Sequence, residues 1–206
     1  MRTPSGQMKK NVIPSGETSS YRSNPEKLSS FALSRKDPEY VGVAKRIRAD
    51  EAERANEGKM PVTDREAAEL RSLGWNGDAG SIGYGSVVCA KRPGDGSARE
   101  QAASCQKVLG GRANIALEYA TKRYRSNLIN WGMLPLTTKD EIGSFSRGEK
   151  IYIPNIKAAI ENKDAEIVGY VISENKRKVT FTLGNLTDDE RAIILAGCLI
   201  NYYRNN

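Results

Sequence analysis

The stretch SIGYGSVVCAKRPGDGSAREQAASCQKVLGGRANIAL, residues 81–117, decides the fold class. Residues 81–90 contain β-branched residues interrupted by glycine, as in a buried strand that runs into a functional loop. Residues 97 to about 109 are helical in composition, Gly110 and Gly111 stop that helix, and residues 113–117 can form the next strand. A strand, a glycine-rich loop, a helix and a strand in this order predict a βαβ unit within an α/β fold.

Start and stop signals mark further elements on both sides of this unit. Apolar spacing predicts a helix over about 39–57 that Gly58 closes, and T-x-x-E capping boxes at Thr63 and Thr187 open two more helices. The last of these should run to the end of the chain on an apolar stripe of Ala192, Leu195, Ala196, Leu199 and Tyr203. The other predicted elements are a helix over 121–131, an extended segment at 134–136, and strands at 149–153, 165–173 and 177–183. We assign residues 1–20 to an arm or linker and residues 21–206 to the main domain.

The composition bounds the chemistry of the chain. With 206 residues, of which 38% are hydrophobic, the chain can bury the core of one domain. It contains no histidine, which excludes Ser-His or Cys-His nucleophilic catalysis and His-ligated zinc within this polypeptide. The spacing of Cys89, Cys105 and Cys198 matches neither a disulfide framework nor a C-x-x-C metal site. We therefore predict reduced, partly buried thiols and no metal site in this chain.

Charge and hydropathy indicate the surroundings of the protein. The net charge is +7, but the basic residues are spread among 25 acidic ones, which is typical of a solvated surface and compatible with attraction of a small polyanion. A non-catalytic module that binds nucleic acid through this basic surface is an alternative of another class. No apolar run approaches the length of about 18 residues that marks a membrane span, and the N-terminus lacks the pattern of a secretory leader. These features predict a cytoplasmic protein without a membrane partner.

The loop Gly94-Asp95-Gly96-Ser97-Ala98-Arg99 carries the strongest functional signal. Two glycines let the backbone turn tightly, and the serine precedes a helix N-terminus, whose free N–H groups stabilise anions. A serine alkoxide or a substrate carboxylate would both gain from that position, and Arg99 adds a fork of donors suited to a carboxylate. The alternative is an ordinary S-x-x-E capping box from Ser97 to Glu100, like the boxes at Thr63 and Thr187.

The segment from Gly94 to Leu136, GDGSAREQAASCQKVLGGRANIALEYATKRYRSNLINWGMLPL, resembles the C-terminal swivelling domain of aconitases. That family has a G-x-G-S-S-R-E-H segment, a Leu-Gly-Gly, a helix that ends R-x-N-L, and a G-x-LPL exit. The small subunits of isopropylmalate and homoaconitate isomerases are similar too, though less closely. The resemblance implies that Ser97 is the catalytic base, that Arg99 binds a substrate carboxylate, and that Gly96 and Ala98 belong to the substrate site.

A second match lies in the N-terminal arm. The stretch IPSGETSSYR resembles the P-A-G segment of the family, in which an arginine six residues after the glycine binds another substrate carboxylate. Gly16 and Arg22 have this spacing, so the resemblance implies a substrate-binding role for Arg22, against the alternative of a surface arginine in a loop. The chain departs from the family at Ala98, which replaces a serine that contacts substrate, and at Gln101, which replaces a histidine. Pro93 stands where the family often has tyrosine, and the family's T-D-x-I is replaced by the residues Lys9-Lys10-Asn11-Val12.

The resemblance implies half of an active site. The expected reaction is the reversible dehydration of a hydroxy polycarboxylic acid, and the expected cofactor is a 4Fe-4S cluster on a partner domain or large subunit that this sequence does not include. Two arrangements stay open: the C-terminal domain of a fused aconitase-like hydratase, and a stand-alone small subunit of an isopropylmalate- or homoaconitate-type isomerase.

Overall fold

The structure, a computed structural model, describes residues 12–14, 18–172 and 176–205. Its helices are α1 (Pro25–Ser29), α2 (Tyr40–Glu57), α3 (Asp64–Ser72), α4 (Arg99–Val108), α5 (Lys122–Asn130), α6 (Ile156–Glu161), α7 (Asp188–Ala196) and α8 (Leu199–Asn205). Its strands are β1 (Ser86–Ala90), β2 (Gly111–Ala116), β3 (Leu134–Thr137), β4 (Lys150–Tyr152), β5 (Ile167–Ile172) and β6 (Arg177–Phe181). Short 3-10 turns lie at Ser19–Tyr21, Ala79–Ser81 and Ile142–Ser144. The predicted mixed α/β class is confirmed.

The predicted βαβ unit forms the first sheet. Strand β1 pairs with β2 in parallel, with Val88 opposite Asn114, and α4 makes the crossover between them. Strand β3 extends the sheet on the other side of β2, also in parallel. The carboxyl ends of parallel strands share one edge, and loops at that edge are where ligands bind in open α/β sheets. The loop after β1 therefore starts at the favoured edge.

A second, antiparallel sheet has the order β4-β5-β6. A bridge between Thr137 at the end of β3 and Thr182 just after β6 connects the two sheets, through backbone hydrogen bonds of 2.8 and 2.9 Å in the two directions. The largest buried cluster spans both sheets and the helices between them, with Ile115, Leu136, Phe145, Val171 and Phe181 among its members. The two sheets therefore share one hydrophobic core.

Part of the segment that we assigned to an arm packs against the domain. Ile13 is buried in a cluster with Leu28, Ala32 and Leu109, and the carbonyl oxygen of Val12 accepts a 2.7 Å hydrogen bond from the backbone N–H of Leu33. Residues 12–14 are thus held beside α1 and α4. Residues 1–11 and 15–17 of the predicted arm, and residues 173–175 of the predicted turn after β5, lie outside the described residues.

Two capping predictions are confirmed. At both Thr63 and Thr187 the side chain accepts a hydrogen bond from the backbone three residues on, while the glutamate there accepts one from the threonine backbone. Helix α2 ends as predicted at Gly58, which adopts a left-handed conformation with φ of 69°. These elements were predictable because their signals lie within four residues of sequence.

The prediction of one continuous C-terminal helix was wrong. Gly197 has φ of 86° and ends α7, and a separate helix, α8, begins two residues later. The predicted apolar stripe was also inaccurate, because Ile193 and Ile194 are the buried residues of α7, whereas Tyr203 is 71% exposed. Helix α7 packs against both α5 and α6, so adjacent residues on two of its faces are covered. Strand β1 is shorter than predicted as well: it begins at Ser86, because a 3-10 turn includes Ser81 and residues 82–85 are not in a strand.

Candidate functional site

The loop between β1 and α4 turns at Gly94. This glycine has φ of +95°, and a Cβ atom added to it would lie 2.5 Å from the ring of Tyr124. A side chain at this position would therefore be strained by the backbone and would also collide with the tyrosine. The loop is further attached to the start of α5, because the backbone N–H of Ala120 donates a 2.9 Å hydrogen bond to the carbonyl oxygen of Pro93. The predicted need for a glycine in this turn has a steric basis at Gly94.

Arg99 is the first residue of α4 and folds back onto this turn. Its Nε donates to the carbonyl oxygen of Gly94 at 3.2 Å, and the Thr121 hydroxyl donates to the same oxygen at 3.1 Å. Within the described parts of the chain, the two terminal guanidinium nitrogens of Arg99 have no hydrogen-bond partner. The side chain is half-buried. Arg99 is thus held at its Nε, while the two nitrogens that can bind a carboxylate in bidentate fashion remain available.

A small pocket lies beside Arg99, with a cavity volume of about 30 Å³. Its lining includes three residues predicted for the site, Gly96, Ala98 and Arg99. The rest of the lining is contributed by Val12, Ile13, Pro93, Gly94, Asp95, Ala102 and Tyr124. The pocket therefore brings together the glycine loop, the first turn of α4, the start of α5 and the N-terminal segment that carries the second sequence match.

Ser97 lies in a bend two residues before α4 begins, and its side chain is exposed. It is flanked by two pocket residues but does not itself line the pocket. The alternative of a Ser97 capping box was wrong, because Ala98 is the N-cap residue and no side chain caps this helix. Glu100, which would complete the box, instead accepts a 2.9 Å hydrogen bond from the indole N–H of Trp131. The serine hydroxyl is therefore not engaged as a helix cap.

Arg22, the second predicted arginine, lies in the turn after the Ser19–Tyr21 3-10 helix. Its side chain is exposed, and it does not line the pocket. Gly16, the other residue of that sequence match, lies outside the described residues. The role of Arg22 therefore stays a prediction.

The three cysteines lie apart in the fold. Cys89 is in β1 and Cys105 is in α4, in two different buried clusters, and Cys198 lies between α7 and α8. Burial raises the pKa of the Cys89 thiol to about 11 and that of the Cys105 thiol to about 12, which makes both poor metal ligands and nucleophiles. Among the residues described here, no group of three or more Cys, Asp or Glu side chains is placed to hold a metal ion. These residues do not fit a 4Fe-4S cluster.

Sequence reasoning missed Tyr124 and the pair Val12 and Ile13 as parts of the site. Tyr124 contacts Gly94 across thirty residues of chain, and no local pattern reports such a contact. For the N-terminal pair a signal was present, because two apolar residues stand directly before the P-S-G sequence that resembles the family segment.

No helix of the described residues is long and apolar enough to span a membrane.

Residues 78–141 match the family model of the aconitase C-terminal domain. Over this segment the chain is similar to the aconitase C-terminal domain family. The matched part runs from the 3-10 turn before β1 to just beyond β3, and it contains every pocket residue except Val12 and Ile13. This likeness supports an aconitase-like hydro-lyase domain.

Among solved structures, this chain is similar to 3-isopropylmalate dehydratase (leuD) from Methanocaldococcus jannaschii. The sequence identity is 27%, the match covers 70% of this chain and 80% of the other, and the TM-score is 0.45. The search of curated proteins gave no match.

Proposed function

We propose that this chain supplies one half of a hydro-lyase active site, for the reversible loss and addition of water on a hydroxy polycarboxylic acid. The observation that carries the proposal is the position of Arg99. Its Nε is tied to Gly94, and its terminal nitrogens stand without partners, among the described residues, beside a pocket at the start of α4. A guanidinium group held in this way suits a carboxylate, and the helix N-terminus adds N–H donors and a positive dipole end.

The size of the pocket supports a shared site. Its volume of about 30 Å³ compares with about 300–1,000 Å³ for typical ligand pockets. A polycarboxylic acid is larger than this space, so we expect another component to enclose the rest of its surface. We infer a cluster-bearing aconitase-type partner, either earlier in the same full-length chain or as a separate large subunit. The second arrangement corresponds to an isopropylmalate- or homoaconitate-type isomerase.

Each predicted site residue has a role in this proposal. Ser97 acts as the base on the carbon next to a substrate carboxylate, and its side chain is exposed. A serine serves as a base only if its alkoxide is stabilised, and the N-terminus of α4 with Arg99 supplies that stabilisation. Arg99 and Arg22 bind substrate carboxylates. Gly96 and Ala98, the chain neighbours of the proposed base, line the pocket.

The proposed cofactor belongs to the partner. A 4Fe-4S cluster with an open iron coordination position supplies Lewis-acid activation of a substrate hydroxyl when it is bound. The residues described here do not form a ligand set for it. We therefore expect the isolated chain to show no turnover, and its own contribution to be proton transfer at Ser97 and carboxylate binding at the arginines.

The test is reconstitution with the cluster-bearing component. That component is identified from the complete reading frame, or from a neighbouring gene for a large subunit. Formation of the unsaturated acid is followed by its ultraviolet absorbance, with candidate hydroxy di- and tricarboxylates as substrates. Ser97→Ala should abolish turnover, whereas Ser30→Ala, at the exposed serine directly after α1, should leave it unchanged. Full activity of Ser97→Ala would rule out the serine as base, and a complex that turns over none of these acids would refute the hydro-lyase assignment.

A further inference from the structure

Tyr124 is the residue of the pocket wall whose role no sequence pattern indicates. Its side chain is fully buried, and its ring lies in van der Waals contact with the turn, 2.5 Å from the position of a Cβ on Gly94. Its backbone N–H donates to the Thr121 hydroxyl at 3.2 Å, and that hydroxyl in turn donates to the Gly94 carbonyl oxygen. Tyr124 therefore supports Gly94 both through its ring and through the cap of its own helix.

The hydroxyl end of Tyr124 connects the two elements on either side of the loop. Gln106 on α4 donates its side-chain amide to this hydroxyl at 2.7 Å, and Asn114 on β2 does so at 2.9 Å. Both amide side chains are fully buried. Burial raises the pKa of Tyr124 to about 12, although the two hydrogen bonds act in the opposite direction, so the hydroxyl stays protonated at neutral pH. One side chain thus joins α4, β2 and the turn that precedes Arg99.

This arrangement has a cost that an apolar core would avoid. In the described structure, Oε1 of Gln106 and Oδ1 of Asn114 are buried without a hydrogen-bond partner. The single hydroxyl hydrogen of Tyr124 can satisfy at most one of these two oxygens. An unsatisfied buried polar group costs about 1–3 kcal/mol, whereas replacing a whole polar set by apolar groups of similar shape can be nearly neutral. Stability alone therefore does not account for the hydrogen-bonded group of Tyr124, Gln106 and Asn114. A requirement to hold the loop in one fixed geometry does.

We propose that Tyr124 is a positioning residue for Arg99. Its hydroxyl, held between Gln106 and Asn114, sets the depth of the ring, and the ring sets the left-handed turn at Gly94. The Gly94 carbonyl oxygen then holds Nε of Arg99, so that the guanidinium has one orientation beside the pocket. The geometry of Arg99 stands on these contacts alone, whereas its value for carboxylate binding rests on the proposed function.

The experiment follows the Arg99 Nε–H signal by NMR in the ¹⁵N-labelled full chain. The signal is assigned as the one lost in Arg99→Lys, and its exchange with water reports on the hydrogen bond to Gly94. Tyr124→Phe keeps the ring but removes the hydroxyl that both amides bind, while Gln106 keeps its 3.0 Å hydrogen bond to the carbonyl oxygen of Ala102. We expect exchange of the Arg99 Nε–H to become about fivefold faster or more, which corresponds to about 1 kcal/mol of local opening. No partner, cluster or substrate is needed.

The matched control is Tyr119→Phe. This tyrosine also loses two hydrogen bonds, from its hydroxyl to the carbonyl oxygens of Asn114 at 3.1 Å and Leu136 at 3.2 Å, but it does not line the pocket. We expect it to lower the free energy of unfolding without changing exchange at Arg99. Equal acceleration in both variants would show a general structural effect, and unchanged exchange in a folded Tyr124→Phe would also overturn the proposal.

A second variant keeps the test decisive if Tyr124→Phe does not fold. Gln106→Leu removes one donor and retains the tyrosine, so a smaller acceleration at Arg99 is expected, and its absence would overturn the proposal. In the reconstituted enzyme, Tyr124→Phe should raise KM more than it lowers kcat, because it disturbs a binding group. If Ser97→Ala keeps full activity while exchange at Arg99 responds as expected, the proposed function fails and the positioning role stands.

Discussion

The carbonyl oxygen of Gly197 lies 1.8 Å from the point that a Cβ atom on Gly132 would occupy. The two glycines end α5 and α7 respectively, each with a positive φ, of +65° for Gly132 and +86° for Gly197. The Gly197 carbonyl oxygen also accepts a 3.3 Å hydrogen bond from Nζ of Lys107 on α4. The end of α7 thus contacts the end of α5 and helix α4, and at Gly132 only a glycine leaves room for this contact.

The first prediction follows from this contact. Gly132→Ala should lower the free energy of unfolding by about 2–5 kcal/mol, since a left-handed alanine costs about 1–2 and overpacking about 1–3 kcal/mol. Urea unfolding followed by circular dichroism measures the change. Gly58→Ala is the matched control, because Gly58 has φ of +69° with no atom within 4 Å of a Cβ, so it should show only the backbone cost of about 1–2 kcal/mol. Equal losses in the two variants would contradict the steric account.

The second prediction concerns acid stability. Burial alone would raise the pKa of Glu51, but hydrogen bonds from Arg54 and the Tyr84 backbone, with the nearby charges of Arg54 and Arg112, lower it below the ordinary value. The folded state therefore binds the Glu51 proton less tightly than the unfolded chain does. The resulting stabilisation is complete above the ordinary pKa of about 4.3 and is lost as the pH falls from there through the lower folded-state pKa.

Glu51→Gln tests this linkage. The change leaves Arg54 without its carboxylate partner and should lower the free energy of unfolding at pH 7 by about 1–3 kcal/mol. It should also flatten the pH dependence of stability between pH 5 and 3, measured by urea unfolding at a series of pH values. Glu53→Gln is the control on the same helix, since its ion pair with Lys59 is exposed, and it should have little effect. An unchanged acid slope in Glu51→Gln would refute the assigned cause.

The parts of the structure that the sequence predicted correctly depend on local signals. Residues 81–117 predicted the βαβ unit because strand composition, glycine loop and helix follow one another within a single short stretch. The parts that it missed depend on distant contacts. Tyr124 packs against Gly94, and Gly197, where the predicted C-terminal helix breaks, packs against Gly132. In both contacts the two residues are tens of positions apart in the sequence. The S-x-x-E pattern predicted Ser97 as a helix cap, but the N-cap position of α4 is Ala98, one residue further on.

The third prediction concerns the thiols. Cys89 is 2% and Cys105 0% exposed, and burial raises the pKa of both, so neither presents a thiolate to a reagent in the folded protein. Cys198 is partly exposed and should be the first to react with a disulfide reagent at pH 8. Cys89 and Cys105 should react at least about tenfold more slowly than Cys198, at a rate set by unfolding. Cys198→Ser should remove the fast phase, and a native protein in which all three thiols react together would contradict the described burial.

The last prediction concerns Arg99 in the reconstituted enzyme. Arg99→Lys keeps the positive charge but loses both the Nε–H that binds Gly94 and the planar fork that matches a carboxylate. The loss of a charge-assisted bidentate contact of about 1.5–3 kcal/mol corresponds to a rise in KM of about tenfold to a hundredfold. Steady-state kinetics with the hydroxy acid substrate measures it. Arg92→Lys provides the comparison, because Arg92 lies in the same loop but forms an exposed ion pair with Glu118 at 2.9 Å, so its KM should stay near that of the wild type. If Arg99→Lys and Arg92→Lys behave alike, the substrate carboxylate binds elsewhere, and the geometry at Gly94 serves the fold rather than the reaction.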